Sequence, residues 1–207
     1  MQRLVSAAIA IAIVGVFVSQ SSAQPDATPS ILLPRTPATV TAEIDWRSVT
    51  VDLRSGRLTG YALPPDAVKN MRDGVAPTPA LPVLLPADTS LLRDISLLYF
   101  PNSYAASGRV EGVAVAVNGT RVLQTIAPGD PLERAIESEK WETLSDGTPY
   151  HVTVGEGGVD LTFNRFGAAY LISVECRTLD DVRCNKPYFA VSLVQKMVIV
   201  NPGATAP

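Results

Sequence analysis

Two cysteines, one histidine and a single arginine between an amide and an aromatic ring are the residues of this chain whose types and spacing bear most on chemistry. Cys176 and Cys184 have seven residues between them. As metal thiolates they would need further Cys or His ligands, and the only histidine is His151. As a pair in an exported chain they read as one disulfide, which stabilises by roughly 2–3 kcal/mol through loop closure. Pairing also removes the strongest nucleophile from any catalytic scheme.

His151 would need a nucleophile and an orienting carboxylate to act as a base. Asp160 falls diagonal to it on the hairpin derived below, but no serine is assigned, so His151 reads as a solvated strand residue. The motifs G-x-S-x-G and H-E-x-x-H and a glycine-rich phosphate loop are all missing. Asp180 and Asp181, with Glu175 nearby, offer hard oxygens for calcium. Calcium loops, however, space their ligands every second residue around a glycine, so an exposed acidic turn is the expected outcome and no metal is assigned. Glu156 sits in a glycine-rich tip that needs no ligand to explain it.

Arg165, flanked by Asn164 and Phe166, is the candidate binding site: a planar guanidinium beside an aromatic ring suits an anionic ligand or a partner's carboxylate. The competing reading is an exposed arginine whose stem covers Phe166. Presentation at a rigid corner predicts that Arg165→Ala weakens binding and leaves stability unchanged. Tyr99, Phe100, Pro101 and Tyr104 form a second aromatic cluster, expected at the edge of the core.

The elements that position these residues begin with a targeting segment. Arg3, the apolar run Leu4 to Val18 and the small residues Ser21 and Ala23 have the layout of a signal peptide cleaved before Gln24. The run is shorter than the ~20 residues a membrane span needs; an uncleaved anchor is the alternative. Cleavage leaves 184 of the 207 residues and a formal charge of −4. No basic face stands out, which argues against a nucleic-acid partner, and no transmembrane segment follows the signal. Residues 24–40 carry four prolines and read as a tether. Residues 41–201 form one domain, and 202–207 a frayed tail.

Within the domain, Ile44 to Leu53 alternates as a strand, with a parity break between Trp46 and Val49 that suggests a bulge. Pro64-Pro65 opens a short helix stopped by Gly74. The prolines of 75–86 predict a surface connection. Asp88 or Thr89 caps a helix with Leu91, Leu92, Ile95 and Leu98 on one stripe. Val113 to Val117 and Thr120 to Ile126 flank Asn118-Gly119, a hairpin signal; the sequon Asn118-Gly119-Thr120 is the other reading. Asp130-Pro131-Leu132-Glu133 starts a helix ending near Trp141.

The last third has the clearest pattern. Val154 pairs with Val159, Val152 with Leu161 and Tyr150 with Phe163, leaving His151, Thr153, Asp160 and Thr162 on the wet face. A third strand follows, with Ala168, Tyr170, Ile172, Val174 and Cys176 on one side. Residues after Cys184 read as a helix carrying Phe189, Leu193 and Met197, then a strand; one strand from Tyr188 to Val200 is the alternative. The fold class is α+β, an antiparallel sheet built from a C-terminal three-strand meander and hairpins, with a few short helices on one face. No cofactor is implied. The function expected is an exported, non-enzymatic binding or interaction module of the cell envelope, engaging an envelope protein or surface ligand. A hydrolase without a recognisable motif and a small-molecule carrier are the alternatives.

Overall fold

The computed structural model of the chain describes residues 38–63, 80–126, 130, 133, 136, 139–178 and 180–200. The signal segment, most of the expected tether, the Pro64 helix and the C-terminal tail lie outside the described residues.

Strand β1 (Ala38–Thr41) pairs with β7 (Val122–Thr125) as a two-stranded antiparallel ribbon. Residues 38–40, read as the end of the tether, are therefore strand. Helix α1 (Trp46–Arg54) replaces the expected strand over Ile44–Leu53. Trp46, Val49 and Leu53 pack toward the core at i, i+3 and i+7, so the parity break is helical periodicity rather than a bulge. Asp45 caps the helix by accepting the Ser48 N–H at 2.9 Å.

Helix α2 (Thr89–Asp94) is capped as expected by Asp88, which accepts from the Ser90 and Leu91 N–H groups. It is shorter than its stripe predicted: Ile95 is extended, and Ser96–Phe100 is strand β4, with Leu97 buried and Leu98 exposed. Strands β5 (Ser103–Val110) and β6 (Val113–Thr120) form a hairpin around Glu111 and Gly112, both at positive φ, as a two-residue turn of this twist requires. The turn expected at Asn118-Gly119 does not form, because those residues lie inside β6. Gly119 is opposite Tyr104, and a Cβ there would overlap the tyrosine ring. The glycine serves packing rather than chain reversal.

The meander is present in the predicted register: β9 (Pro149–Gly155), β10 (Gly158–Arg165) and β11 (Ala168–Glu175), with Val154 opposite Val159, Val152 opposite Leu161 and Tyr150 opposite Phe163. It is part of a larger, seven-stranded antiparallel sheet in the order β4-β5-β6-β11-β10-β9-β8, where β8 is Glu142–Thr143. In the expected helix over 130–141, Glu133 and Ile136 are helical and Trp141 is not; its other positions before 139 lie outside the described residues, Asp130 apart.

Three more strands make a second sheet, β2-β12-β3, from Thr59–Tyr61, Met197–Val200 and Leu84–Pro86. Strand β12 runs parallel to β2 and antiparallel to β3. Residues 81–86 are therefore not a surface connection. Leu81, Val83, Leu84 and Leu85 are buried, and Pro86 is tolerated because β3 pairs on one side only. The two sheets are joined by tyrosines: Tyr104 donates its hydroxyl to the Leu84 carbonyl at 2.7 Å, and Tyr170 donates to the Pro82 carbonyl at 3.1 Å. After α3 (Val182–Asn185), helix α4 (Tyr188–Gln195) leads into β12, so the helix-plus-strand reading holds. Pro187 stands at its N-cap, and Met197, expected on the helix, is the first residue of β12. The core lies on the face of the large sheet that carries Tyr104, Val117, Ile172, Tyr170, Leu161 and Phe163.

Candidate functional site

Strand alternation places a second set of residues on the outer face of the seven-stranded sheet. One row crosses it as Leu98, Ala105, Asn118, Leu171, Thr162 and His151, and the next as Phe100, Ser103, Thr120, Ala169 and Asn164. Over β5 and β6 these side chains are small or short and polar, with larger apolar ones on either side. Phe100 and Leu98 on β4 are 49% and 41% exposed, and Leu171 stands on β11.

The result is a cleft of about 360 Å³ lined by Phe100, Ala105, Asn118, Thr120, Ala169 and Leu171 among others. This is within the usual size range of small-ligand and side-chain pockets. Among the described residues no charged side chain lines it. Further along β5 and β6, Arg109, Asp94 and Glu111 border a polar depression near the Glu111-Gly112 turn. The arrangement is therefore an apolar cleft with a charged margin. Its lining offers hydroxyls from Ser103, Thr120 and Thr162 and the Asn118 amide.

At the other side of the same face, His151 meets residues that precede β8. Its ring centroid lies 5.8 Å from that of Trp141, and its Nδ1 is 3.8 Å from a Glu139 carboxylate oxygen. Asp160 lies diagonal to His151 on the same face, as read from the sequence. Nearby, Tyr150 donates its hydroxyl to Glu142 at 2.6 Å. Burial, then the bond to Glu142 and its negative charge, push the Tyr150 phenol up to about 12.

The three residues of the predicted Asn164–Phe166 site do not share one surface. Asn164 faces outward with Thr162. Arg165 is the last residue of β10, and its Nη2 lies 3.0 Å from Asp52 and 3.2 Å from Asp146. Phe166 occupies the two-residue turn with Gly167 at positive φ and is buried, while the guanidinium carbon sits 5.0 Å from its ring centre. Arg57 also bonds Asp52, Nε to Oδ1 at 2.7 Å. The guanidinium is thus held between α1 and the turn before β9, where Asp146 itself is kept below the usual carboxylate value. Burial alone would raise Asp146; hydrogen bonds from Thr148 and the Arg165 charge outweigh it.

Cys176 and Cys184 form the predicted disulfide, tying the end of β11 to α3. Asp181 uses its carboxylate to cap α3 and to bind Arg183 at 2.6 and 2.9 Å. The Arg183 side chain and then its backbone N–H hold the Asp181 carboxyl down at about 2. Those oxygens are already engaged, and no cluster suited to a metal ion occurs among the described residues. Of the aromatic cluster, Tyr104 is core as expected, whereas Phe100 faces outward at the cleft.

Of the cleft residues, the sequence singled out Phe100 and Tyr104 as part of an aromatic cluster and Asn118 as a turn, but did not join them into one site. The available signal was Leu98 and Phe100, apolar at alternate positions of β4 and out of phase with buried Leu97. Among the described residues no helix is long and apolar enough to cross a membrane. The chain matches no protein-family model, and it is similar to no curated protein and to no solved structure at a significant level.

Proposed function

We propose that this chain is an exported, non-enzymatic interaction module of the cell envelope that receives apolar side chains of a partner protein in the outer-face cleft between Phe100 and Leu171. The observation that carries the reading is the cleft itself: uncharged, floored by Ala105, Thr120 and Ala169, and continued onto exposed Leu98 and Phe100. Small-molecule sites enclose 70–90% or more of a drug-sized ligand. An open cleft with an exposed aromatic on its rim instead resembles the centre of a protein interface, where aromatics are enriched and charges depleted. Arg109, Asp94 and Glu111 supply the polar margin such interfaces carry. The cleft is preferred to the Asn164–Phe166 corner because the Arg165 guanidinium already binds two carboxylates.

The export reading rests on the layout of the first 23 residues and is supported by the disulfide. Intact mass of the protein recovered outside the cytoplasm should correspond to a chain beginning at Gln24; a mass retaining residues 1–23 would make it membrane-tethered.

The binding reading is tested by Leu171→Arg, which places a charge in the cleft from a partly exposed position. Cross-linking in envelope extracts through a photoreactive group at position 105 should capture one partner with the wild-type cleft and lose it with Leu171→Arg. The urea midpoint should stay unchanged. Capture that survives the arginine would remove the cleft from consideration, and saturable binding of a small apolar dye without any protein capture would favour a carrier.

A further inference from the structure

The contact between His151 and the segment preceding β8 is not used by the proposed interaction. His151 is fixed in the middle of β9, opposite Thr162. Glu139 and Trp141 reach it from non-helical backbone outside the strand ladder. Both meet the sheet at this imidazole, whose side chain is 22% exposed; Trp141 is 36% exposed, and the next residue, Glu142, begins β8 and pairs with Tyr150 of β9.

We propose that His151 is a pH-operated clamp: the protonated ring fastens Glu139 and Trp141 to the outer face of β9, and the neutral ring loosens them. Protonation places a positive charge 3.8 Å from the Glu139 carboxylate and beside the indole ring, adding an ion pair and a cation–π contact that the neutral ring lacks. Histidine is the side chain that ordinarily changes charge between pH 5 and 8.

The other groups around the ring leave this pairing in place. From β10, Thr162 directly opposite is uncharged and Asp160 lies diagonally on the same face. Glu142 of β8 is bonded to the Tyr150 hydroxyl, and Lys140 Nζ lies 3.7 Å from that same Glu142 rather than at the histidine. Glu139 is thus the carboxylate in contact with Nδ1. His151 shares its sheet row with Thr162 and Leu171, both of which line the cleft, so the clamp operates at the margin of the proposed binding surface.

The chain contains one histidine and two tryptophans, Trp46 and Trp141, which makes the test direct. In Trp46→Phe protein, acrylamide quenching reports Trp141 alone. An exposed ion pair shifts a two-state ratio by roughly two- to fivefold, so Trp141 should become more accessible by about that factor between pH 5.5 and pH 8. His151→Gln on the same background should be flat across this range and as accessible as the wild type at pH 8. Glu139→Gln should reduce the change. If Trp46→Phe does not fold, the Trp141 indole N–H resonance of the otherwise unaltered protein gives the same comparison. Trp141 accessibility that does not change with pH, or that changes equally in His151→Gln, would overturn the clamp. Neither result depends on a partner, so the clamp and the cleft can fail separately.

Discussion

Arg165 Nη2 lies 3.0 Å from Asp52 Oδ2, a contact that joins the end of β10 to α1 across 113 residues of sequence. Asp52 is 8% exposed and the Arg165 side chain 13%. Charges this far from water need partners, and each supplies one for the other, with Arg57 and Asp146 completing the set. The arginine that drew attention as a binding anchor already contacts two carboxylates of its own chain.

Arg165→Ala should therefore destabilise the fold by about 2–4 kcal/mol, because it leaves Asp52 and Asp146 without their shared cation. Lysine should recover only part of the loss, since a single ammonium replaces a planar fork. Urea unfolding of the two variants checks this. An alanine variant as stable as wild type would show the network contributes nothing, and would return the corner to consideration as a ligand site.

Gly119→Ala should cost more than about 2 kcal/mol, the range of overpacking in a filled core. The new Cβ meets the Tyr104 ring, and Tyr104 cannot step aside while its hydroxyl both donates to and accepts from the Leu84 backbone. Gly56→Ala is the control. Its φ of 72° imposes strain of about 1–2 kcal/mol, but nothing lies within 4 Å of the added carbon. Equal losses at the two positions would mean that backbone conformation, rather than ring packing, sets the cost at Gly119.

These two residues also show what the sequence makes legible. The meander could be read because alternation was clean and its turns short, so pairing Val152 with Leu161 followed from period two alone. Asn118-Gly119 misled because an Asn-Gly step has the conformational freedom of a turn but carries no trace of the ring across the ladder that needs the space. Glu111-Gly112 forms the actual turn and lacked the stronger Asn-Gly signature. At Trp46 to Leu53, strand and helix periods coincide over a few residues, and the Asp45–Ser48 cap was the deciding local cue. The cleft was least legible of all, since it arises from which faces of β4, β5, β6 and β11 the topology leaves outward.

Leu161→Ala should cost about 2–5 kcal/mol and Val152→Ala clearly less. The two are cross-strand neighbours on the packed face, but Leu161 is fully buried while Val152 lies at its margin, only partly covered. Chemical denaturation orders the two. A larger loss at Val152 would place the edge of the core further toward β9 than the buried residues indicate.

Three of the six tyrosines should resist alkaline ionisation in the folded protein. Tyr104 and Tyr170 are fully buried, and desolvation raises both well beyond the ordinary phenol value. Tyr150 is raised to about 12 by burial and then by Glu142. A phenol is neutral when protonated, so a raised folded value means that the unfolded chain releases its proton first. The associated stability is complete below about pH 10, the unfolded phenol value, and is lost as pH rises toward 12. Tyrosinate absorbance should accordingly show the Tyr104, Tyr150 and Tyr170 phenols delayed relative to the unfolded chain. Glu142→Gln removes both the charge and the carboxylate acceptor, and should bring Tyr150 alone into an earlier step while Tyr104 and Tyr170 stay silent until the sheets separate. Unchanged delay in Glu142→Gln would assign the Tyr150 shift to burial alone, and six phenols titrating together below the unfolding transition would contradict the packing of the core.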